Sequence, residues 1–489
     1  MIELKNSRLF VESNYVGGAW IEGARRTEVI DPATNAIIAS VPDAGADEAR
    51  AAIAAAHAAF PAWRAKTAAE RATIMRQLAA LVTENAEDLA RILTSEQGKP
   101  LSEARGEIAM SAAYILWFAE EARRIYGDIV PSPWRDHRVL VTREAVGVVA
   151  AITPWNFPSS MIARKLGPAL GAGCTMVLKP APQTPLSALA WGVLCADAGV
   201  PAGVFNVVTG DAKAIGGELT SSPLVKKITF TGSTAVGKLL LAQAAGTVKK
   251  VSMELGGNAP FIVFDDADIA RAVKGAVAAK YRNSGQTCVC TNRFLIQDGI
   301  YDEFAARISR AVGELKVGNG FEAGVENGPL INAAAVTKVE AHLQDALAKG
   351  AKVIRGGHRH ALGGTFFEPT VLIDARPNMT IAKEETFGPI APLFRFKDEA
   401  EAIAMANDTE YGLASYFYTR DLGRAFRVSS ALEYGMVGIN EGLITTEVAP
   451  FGGVKQSGIG REGSYRGIED YLDTKYLCIG GIDESNSPT

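Results

Sequence analysis

A cysteine, a glutamate and an asparagine stand in sequence surroundings that suit chemistry. Cys288 ends a small, polar run that begins at Tyr281, Glu254 precedes the pair Gly256-Gly257, and Asn156 lies between two prolines. A thiolate is a strong nucleophile, a carboxylate can activate water, and an amide N–H can stabilise an oxyanion. Together these three groups could carry acyl chemistry through a thioester.

Taken singly, each of the three residues has a simpler explanation. A cysteine in an apolar chain is more often a packing residue, a glutamate is usually solvated, and an asparagine beside prolines is typical of a turn. The functional interpretation therefore depends on the three residues acting as a set.

Composition excludes several classes of protein. The 489 residues predict two or three domains. With 50 basic and 54 acidic residues the net charge is −4, which gives no basic surface for nucleic acid or for a membrane. Five cysteines are too few for a disulfide scaffold and favour the reducing cytoplasm. We find no targeting segment and no long apolar run, and we expect no metal site.

The order of predicted elements indicates an α/β fold. Apolar residues recur every three or four positions from Asp47 to about Tyr126, which predicts a run of amphipathic helices. Short apolar strands then alternate with helices, a pattern typical of a parallel sheet covered on both faces. We predict the strands at 148–152, 175–179, 204–208 and 227–230, and in a second α/β unit at 260–264 and 293–297 around a helix at 268–280.

Two further segments alternate apolar and polar residues as exposed strands do. They are Ile129–Thr142 and Tyr471–Ile479, and neither has an evident partner within its own unit. We expect them to pair with another subunit. The last ten or so residues, which end Asn486-Ser487-Pro488-Thr489, are predicted to be disordered.

One strand-to-helix turn suits a phosphate group. Phe230-Thr231-Gly232-Ser233 follows a predicted strand and opens a helix, whose free N–H groups and dipole favour an anion. The glycine spacing here is G-x-x-x-x-G and differs from the dinucleotide fingerprint, so the turn alone is weak evidence. Lys179, at the end of another strand, could bond ribose hydroxyls.

With these motifs assembled, nearly the whole chain resembles the aldehyde dehydrogenase superfamily. The resemblance also rests on Glu384-Glu385-Thr386-Phe387-Gly388-Pro389 and on Pro450-Phe451-Gly452-Gly453. It implies a Rossmann-like cofactor domain (1–125 and 145–255), an α/β catalytic domain (256–456) and a small β extension for oligomerisation (126–144 and 457–489). It further implies a homotetramer or a homodimer.

The same resemblance implies a role for each matching residue. Cys288 would be the nucleophile, Glu254 the general base, and Asn156 an oxyanion donor together with the Cys288 backbone N–H. The residues implied along a nicotinamide cofactor are Trp155, Lys179, Pro182, Gly232, Ser233, Glu385 and Phe387.

Within the superfamily, the flanking sequences are most similar to succinate-semialdehyde dehydrogenases. Arg164 and Arg282 match positions that hold the far carboxylate of the substrate in that group, and guanidinium suits a bidentate carboxylate contact. A serine that also contacts this carboxylate is expected to be Thr446 here. One methylene of substrate length changes binding by only ~1–3 kcal/mol, so glutarate semialdehyde and a broader range of aldehydes stay open as alternatives.

The cofactor choice depends on position 182. NAD-selective members often carry a glutamate three residues after the lysine, whose charge repels a 2′-phosphate. This chain has Pro182 there, so NADP is allowed and expected to be preferred over NAD.

Other function classes are weaker. An acyl-transferring relative that uses coenzyme A would not need Glu254, and a catalytically silent protein would not need the whole set. A thioredoxin-like redox protein is a weaker alternative again, because one residue, not two, separates Cys288 from Cys290. If that segment is extended, however, the two thiols project to the same side, and Cys290 could form a strained disulfide that serves as a redox switch.

Overall fold

Two large sheets organise the protein, which a computed structural model describes over residues 2–482. The predicted disorder at 483–489 lies outside the described residues. The first sheet has eight strands in the order β19-β11-β10-β7-β8-β9-β1-β2, and the second has seven in the order β14-β15-β16-β13-β12-β17-β18. A three-stranded sheet, β20-β6-β5, and the ribbon β3-β4 complete the strands.

The strands are β1 (Asn14–Val16), β2 (Ala19–Ile21), β3 (Arg26–Ile30), β4 (Ile37–Pro42), β5 (Asp128–Val130), β6 (Arg138–Ala145), β7 (Val148–Ile152), β8 (Thr175–Lys179), β9 (Phe205–Val207), β10 (Val225–Thr231), β11 (Lys250–Glu254), β12 (Ala259–Val263), β13 (Thr291–Gln297), β14 (Lys352–Arg355), β15 (Thr370–Ile373), β16 (Ile390–Phe396), β17 (Ala414–Tyr418), β18 (Met436–Ile439), β19 (Gly458–Ile459) and β20 (Leu472–Ile479).

The helices are α1 (Ala46–Ala65), α2 (Ala68–Glu84), α3 (Ala86–Gln97), α4 (Leu101–Glu121), α5 (Ser160–Ala172), α6 (Pro185–Asp197), α7 (Ala212–Ser221), α8 (Thr234–Ala245), α9 (Ile269–Tyr281), α10 (Tyr301–Val312), α11 (Ala333–Ala348), α12 (Thr380–Lys383), α13 (Glu399–Asn407) and α14 (Leu422–Ala431). Short 3-10 helices cover Ser7–Leu9, Ala122–Arg124, Arg282–Gly285, Asp298–Ile300, Lys455–Ser457 and Tyr465–Tyr471.

The first sheet is parallel through its five central strands, as predicted, with antiparallel strands at its edges. Successive residues of β7 enter two different cores: Val148 and Ala150 pack on the α1 side, and Val149 and Ala151 on the α2 and α5 side. A strand that is buried on both faces must be apolar throughout, which explains its continuous apolar sequence.

The second sheet is also parallel, except for β14 at its edge. Its strands β12 and β13 flank α9 in sequence, as predicted, and its apolar cores are separate from those of the first sheet. The α/β fold predicted from the sequence is therefore confirmed. Because parallel strands end at a common edge, loops from both sheets can meet at one place.

The prediction for the two exposed strand segments needs correction. The first segment divides into β5 and β6, because Pro131 and Pro133 interrupt the strand where backbone donors would be needed. β6 then pairs antiparallel with β20 from Leu472 opposite Ala145 to Ile479 opposite Arg138. The segments are thus partners of each other within one chain.

Membrane-spanning helices and metal-ligand clusters are both absent from residues 2–482. None of the helices there combines the length and apolar character that crossing a membrane requires. Within the same residues, no group of three or more histidine, cysteine, aspartate or glutamate side chains is arranged to hold a metal ion.

Candidate active site

A tight turn at the end of α9 presents Cys288. Asn283 and Ser284 both adopt left-handed backbone angles, with φ of 51° and 54°, and Gly285 follows with φ of 76°. A Cβ atom on Gly285 would lie 2.3 Å from the carbonyl oxygen of Gly388, so only glycine fits there. The Ser284 hydroxyl donates to the carbonyl of Gly328 at 2.8 Å and anchors the turn. The half-buried Cys288 side chain is thereby held by a strained, crowded loop.

Asn156 lies beside this loop. It follows the end of β7, is buried, and its side-chain Nδ2 donates to the carbonyl of Gln286 at 3.0 Å. One N–H of the amide group is used in this bond, which leaves the second for another acceptor. The structure therefore brings the amide of Asn156 next to the loop that carries Cys288. Asn156 follows a strand of the first sheet, whereas the loop precedes a strand of the second.

Glu254 is the last residue of β11, and its carboxyl group is buried. Neither carboxyl oxygen has a hydrogen-bond partner within the protein. Burial raises the pKa of Glu254 well above its ordinary value, and the neighbouring Glu462 carboxylate raises it further. A buried, unpaired carboxyl group is costly to stability and is typical of a functional site.

The thiol of Cys288 is also shifted towards its neutral form. Burial, together with the carboxylates of Glu385 and Glu254, raises the pKa of Cys288 to about 12. The resting site therefore holds a thiol rather than a thiolate. Attack on a substrate requires a proton acceptor close to the sulfur.

Two cavities meet at Cys288. One, of about 390 Å³, is an open groove that extends past Asn156 to the start of α8. The other, of about 210 Å³, is lined by Phe157, Arg164 and Arg282 among others. Cys288 lines both cavities, so a group in either one can reach the sulfur.

The smaller cavity carries two guanidinium groups. Arg164, on α5, is 2% exposed, and its Nε and Nη1 atoms have no hydrogen-bond partner in the protein. Its guanidinium lies 4.2 Å from the centre of the Phe451 ring, and its Nη1 is 3.7 Å from a Glu462 oxygen. The guanidinium of Arg282 lies 5.2 Å from the centre of the Phe157 ring. Unsatisfied buried donors of this kind suit an incoming anion.

Two adjacent threonines lie near the smaller cavity. Thr445 is among the residues that line it, and the Thr446 hydroxyl donates to the Glu447 carboxylate at 3.2 Å. The contact of Thr446 with the far carboxylate of the substrate stays a prediction.

The larger groove is shaped by residues predicted to lie along a nucleotide. Trp155 and Phe387 meet edge to face with ring centres 5.5 Å apart, and Glu385 accepts a hydrogen bond from the Gly257 N–H at 3.1 Å. Burial raises the pKa of Glu385 to about 7. Gly232 lies in the same groove, and Ser233 caps α8 by accepting from the Val236 N–H.

Lys179 and Pro182 lie away from the lining of this groove. Lys179 is buried at the end of β8, where burial lowers the pKa of its ammonium group to about 8 and the Pro180 carbonyl accepts a hydrogen bond at 2.9 Å. Lys179 is therefore a buried residue and not a surface lysine. Pro182 lines a neighbouring cavity that shares Ile331 and Asn332 with the groove.

These groups fit a dinucleotide. The groove offers a helix N-terminus for a diphosphate, an apolar end formed by Trp155 and Phe387, and the carboxylate of Glu385 as a hydrogen-bond acceptor. At Gly232, a Cβ atom would lie 2.4 Å from the Phe230 ring, so glycine keeps the backbone accessible at the helix start.

The structural premise of the Cys290 prediction is wrong. Residues 288–290 form a turn, in which the Cys290 N–H donates to the Thr287 carbonyl at 3.1 Å, rather than an extended strand. The Cys290 thiol is buried and donates to the Lys280 carbonyl at 3.3 Å. A disulfide between Cys288 and Cys290 stays a prediction, now without the support of an extended backbone.

Sequence reasoning missed a buried ionic cluster behind Glu254. The Lys165 ammonium donates to Glu462 at 2.5 Å and to the Thr231 hydroxyl at 2.6 Å. Lys165 is adjacent to Arg164 in sequence, but Glu462 comes from a distant loop, so no local pattern could have revealed the pair. It fixes the carboxylate that raises the pKa of Glu254.

Comparison with known proteins gives a consistent result. The aldehyde dehydrogenase family model matches residues 20–477. The glutarate-semialdehyde dehydrogenase of Pseudomonas aeruginosa is 63% identical over 98% of this chain and 100% of its own length. The succinate-semialdehyde dehydrogenase [NADP(+)] GabD of Escherichia coli is 61% identical over 98% of this chain and 100% of its own. The 3-sulfolactaldehyde dehydrogenase of Pseudomonas putida is 60% identical over 99% of this chain and 100% of its own length.

A solved structure shows the same architecture. The E. coli NADP-dependent enzyme superposes with a TM-score of 0.97 at 61% identity, over 98% of this chain and 100% of that chain. The chain belongs to the aldehyde dehydrogenase family.

Proposed function

We propose that the protein oxidises a semialdehyde with a distal carboxylate, preferably succinate semialdehyde, to the dicarboxylate. One observation carries this proposal: Cys288 lies where a groove that fits a dinucleotide meets a cavity that contains two guanidinium groups, Arg164 and Arg282. A substrate that places its aldehyde at the sulfur and its carboxylate at the arginines satisfies the buried donors of Arg164.

The first chemical step is attack of the Cys288 sulfur on the aldehyde carbon. The thiol must pass its proton to a base, and we assign this role to Glu254, whose carboxylate lies close enough to raise the pKa of Cys288. Glu254 releases this proton to solvent before the second step. The carbonyl oxygen becomes an oxyanion, which the second N–H of Asn156 and the Cys288 backbone N–H stabilise. Loss of one such donor typically lowers the rate by ~10²–10³.

The second step is hydrolysis of the acyl group on Cys288. When bound, the nicotinamide supplies the hydride acceptor that makes oxidation of the adduct to a thioester possible. Glu254 then takes a proton from water, whose oxygen attacks the thioester carbon and releases the carboxylate product and the thiol. Burial keeps the carboxyl group basic enough for this role.

The similar proteins support an anionic tail on the substrate. The three named relatives act on glutarate semialdehyde, succinate semialdehyde and 3-sulfolactaldehyde, and each of these compounds carries an acid group besides the aldehyde. The small volume of the arginine cavity, about 210 Å³, favours a short chain. Glutarate semialdehyde is the second candidate, because it is the substrate in the name of the 63%-identical relative.

We propose NADP as the preferred cofactor, with NAD as an alternative. Position 182 carries no acidic group that would repel a 2′-phosphate, and the ammonium of Lys179 lies three residues before it. The E. coli relative is named for NADP. A reducing compartment such as the cytoplasm suits the catalytic thiol.

Removal of either arginine tests the substrate assignment. We expect Arg164→Met and Arg282→Met to raise KM for succinate semialdehyde by about tenfold or more, since a charge-assisted contact contributes ~1.5–3 kcal/mol. KM for butyraldehyde, which lacks the carboxylate, should change little. Steady-state kinetics with both substrates give the comparison.

Arg105→Met is the matched control. Arg105 lies on α4 and pairs with Glu87 at the surface, outside both cavities. Its removal should leave both KM values unchanged. Equal losses on the two substrates in the Arg164 and Arg282 variants would show that the arginines support the scaffold instead of the substrate.

A further inference from the structure

A buried lysine lies behind the proposed oxyanion donor. Lys99 is 1% exposed and lies between α3 and α4. Its ammonium donates to Glu107 Oε2 at 2.7 Å and to the backbone carbonyl of Asn156 at 2.7 Å, and it lies 3.8 Å from the centre of the Phe157 ring. Two of these contacts are with Asn156 and Phe157, which are adjacent in the chain, and the third is with the Glu107 carboxylate.

The partner of Lys99 also fixes the helix that follows Asn156. Glu107 Oε1 accepts hydrogen bonds from the backbone N–H groups of Ser159 and Ser160, at 2.9 and 3.0 Å. The N-cap residue Ser159 makes no side-chain cap of its own, so Glu107 supplies the cap for α5. The ion pair thus holds the middle of the short segment between β7 and α5, at Asn156, and its end at Ser159.

A second donor reaches the same carbonyl from the cysteine loop. Asn283 Nδ2 donates to the Asn156 carbonyl at 3.0 Å, while the Asn283 side-chain oxygen accepts from Gln97 at 3.0 Å. The Asn156 carbonyl therefore has donors from two elements, and its own amide bonds to Gln286. The position of Asn156 relative to Cys288 is fixed by these bonds and not by the strand alone.

We propose that Lys99 is a positioning residue for the proposed reaction, whose ammonium group holds the Asn156 backbone so that the side-chain amide points at the oxyanion formed on Cys288. The inference rests on the proposed function. An ammonium buried with its carboxylate is a costly arrangement that a hydrophobic pair could replace, which points to a role in geometry. Displacement of a reacting group by about 1 Å can cost ~10²-fold in rate.

A double-mutant cycle tests the inference. The variants are Lys99→Met, Asn156→Ala and the combination of both, and two rates are measured on each. One is kcat/KM for succinate semialdehyde with NADP. The other is hydrolysis of p-nitrophenyl acetate without cofactor, which needs the thiol and the oxyanion donors but no hydride acceptor.

We expect each single substitution to lower both rates by ~10²-fold and the double variant to be no slower than Asn156→Ala, because Lys99 acts through Asn156. KM for the semialdehyde should change less than kcat, since the arginine cavity is retained. Losses that multiply in the double variant, or a Lys99→Met variant within about twofold of the wild type, would overturn the inference.

Lys227→Met provides a matched control for loss of a buried lysine. Lys227 is fully buried, donates to the Ser252 hydroxyl and lies 4.8 Å from the Tyr471 ring centre. Its removal should lower the melting temperature but leave both rates within about twofold of the wild type. A comparable fall in rate in this variant would show that loss of any buried lysine has the same effect, and would overturn the inference.

If Lys99→Met alone does not fold, Lys99→Met with Glu107→Gln replaces it in the cycle. This pair leaves no unpaired buried charge, and glutamine still accepts from Ser159 and Ser160. The ester assay separates the two proposals. Wild-type protein that oxidises no aldehyde would contradict the proposed function. Losses in the rate of ester hydrolysis that multiply in the double variant would contradict the role of Lys99.

Discussion

At the scale of single residues, burial shifts the acid groups of the site towards their neutral forms. Burial raises the pKa of the Glu385 carboxyl group to about 7 and raises that of Glu254 well above its ordinary value. Burial, together with the Glu385 and Glu254 carboxylates, raises the pKa of the Cys288 thiol to about 12. Ionising any of these groups in the buried site therefore costs free energy.

The stability of the protein should therefore depend on pH through Glu254. Its pKa in the folded state lies above the ordinary value of 4.5, so folding is favoured at low pH and loses this contribution as pH rises towards the folded-state pKa. We expect Glu254→Gln to unfold at a higher temperature than the wild type above neutral pH, by about 2 °C or more, and the gain to shrink towards pH 5.

Thermal unfolding of both proteins between pH 5 and about 9 measures this effect. The control is Glu84→Gln at the exposed end of α2, which should show no such gain. A wild-type protein as stable as the Glu254 variant at alkaline pH would mean that the carboxylate is solvated or paired.

Prediction from sequence was strongest for residues with distinctive chemistry. Cys288, Glu254 and Asn156 each stand within three residues of a glycine or proline, and the structure brings them to one place. The role of Thr446 stays a prediction, and Lys99 was not found. An irregular loop has no period, and a buried ion pair between distant elements leaves no local pattern.

At the scale of elements, the site is built from the ends of parallel strands. Asn156 follows β7, Glu254 ends β11, and the cysteine loop lies between α9 and β13. β7 and β13 were predicted to within about two residues, and in β7 burial on both faces makes the sequence continuously apolar. β11, with the sequence Lys-Val-Ser-Met-Glu, was not among the predicted strands, because it has no such apolar run. We did not predict that two prolines interrupt the β5–β6 segment, because apolar and polar residues alternate along it as they do in a continuous strand.

The turn before Cys288 should tolerate no side chain at position 285. Gly285→Ala places a Cβ atom 2.3 Å from the Gly388 carbonyl oxygen at a φ of 76°, so the turn must shift. We expect a loss of stability of more than ~1–2 kcal/mol, the cost of the left-handed angle alone, and a large fall in kcat.

Gly199→Ala is the control for this substitution. Gly199 has a similar φ of 82°, but no atom lies within 4 Å of a Cβ built there. The Gly199→Ala variant should lose only the stability that the left-handed backbone angle costs, and it should keep full activity. Equal kcat in the two variants, together with equal melting temperatures, would show that the turn relaxes without consequence for Cys288.

At the scale of the whole molecule, we propose three functional units. Residues 1–125 and 145–255 would bind the cofactor, 256–456 would carry the nucleophile, and 126–144 with 457–489 would join subunits. The third unit is supported by β20, an edge strand whose residues from Asp473 to Ile479 are all exposed. An exposed apolar edge is a template for pairing with another chain.

Charged residues on this strand should therefore weaken assembly. Leu477 and Ile479 share one face of β20 and are 37% and 46% exposed. We expect the wild type to be a dimer or a tetramer in light scattering, and the double variant Leu477→Glu, Ile479→Glu to form a smaller species. A wild-type monomer, or an unchanged mass in the variant, would contradict the assignment of this unit.

The central claim is that Cys288 carries the substrate as a thioester and that Glu254 releases it. The most direct measurement is intact-protein mass after Glu254→Gln is mixed with succinate semialdehyde and NADP, followed by peptide mapping. Because the thioester forms but hydrolyses slowly in this variant, we predict the added mass of one succinyl group on the peptide that contains Cys288, and no addition in the further variant Cys288→Ala. An unmodified Cys288 in a Glu254→Gln protein that still reduces NADP, or the acyl group on another residue, would contradict the account.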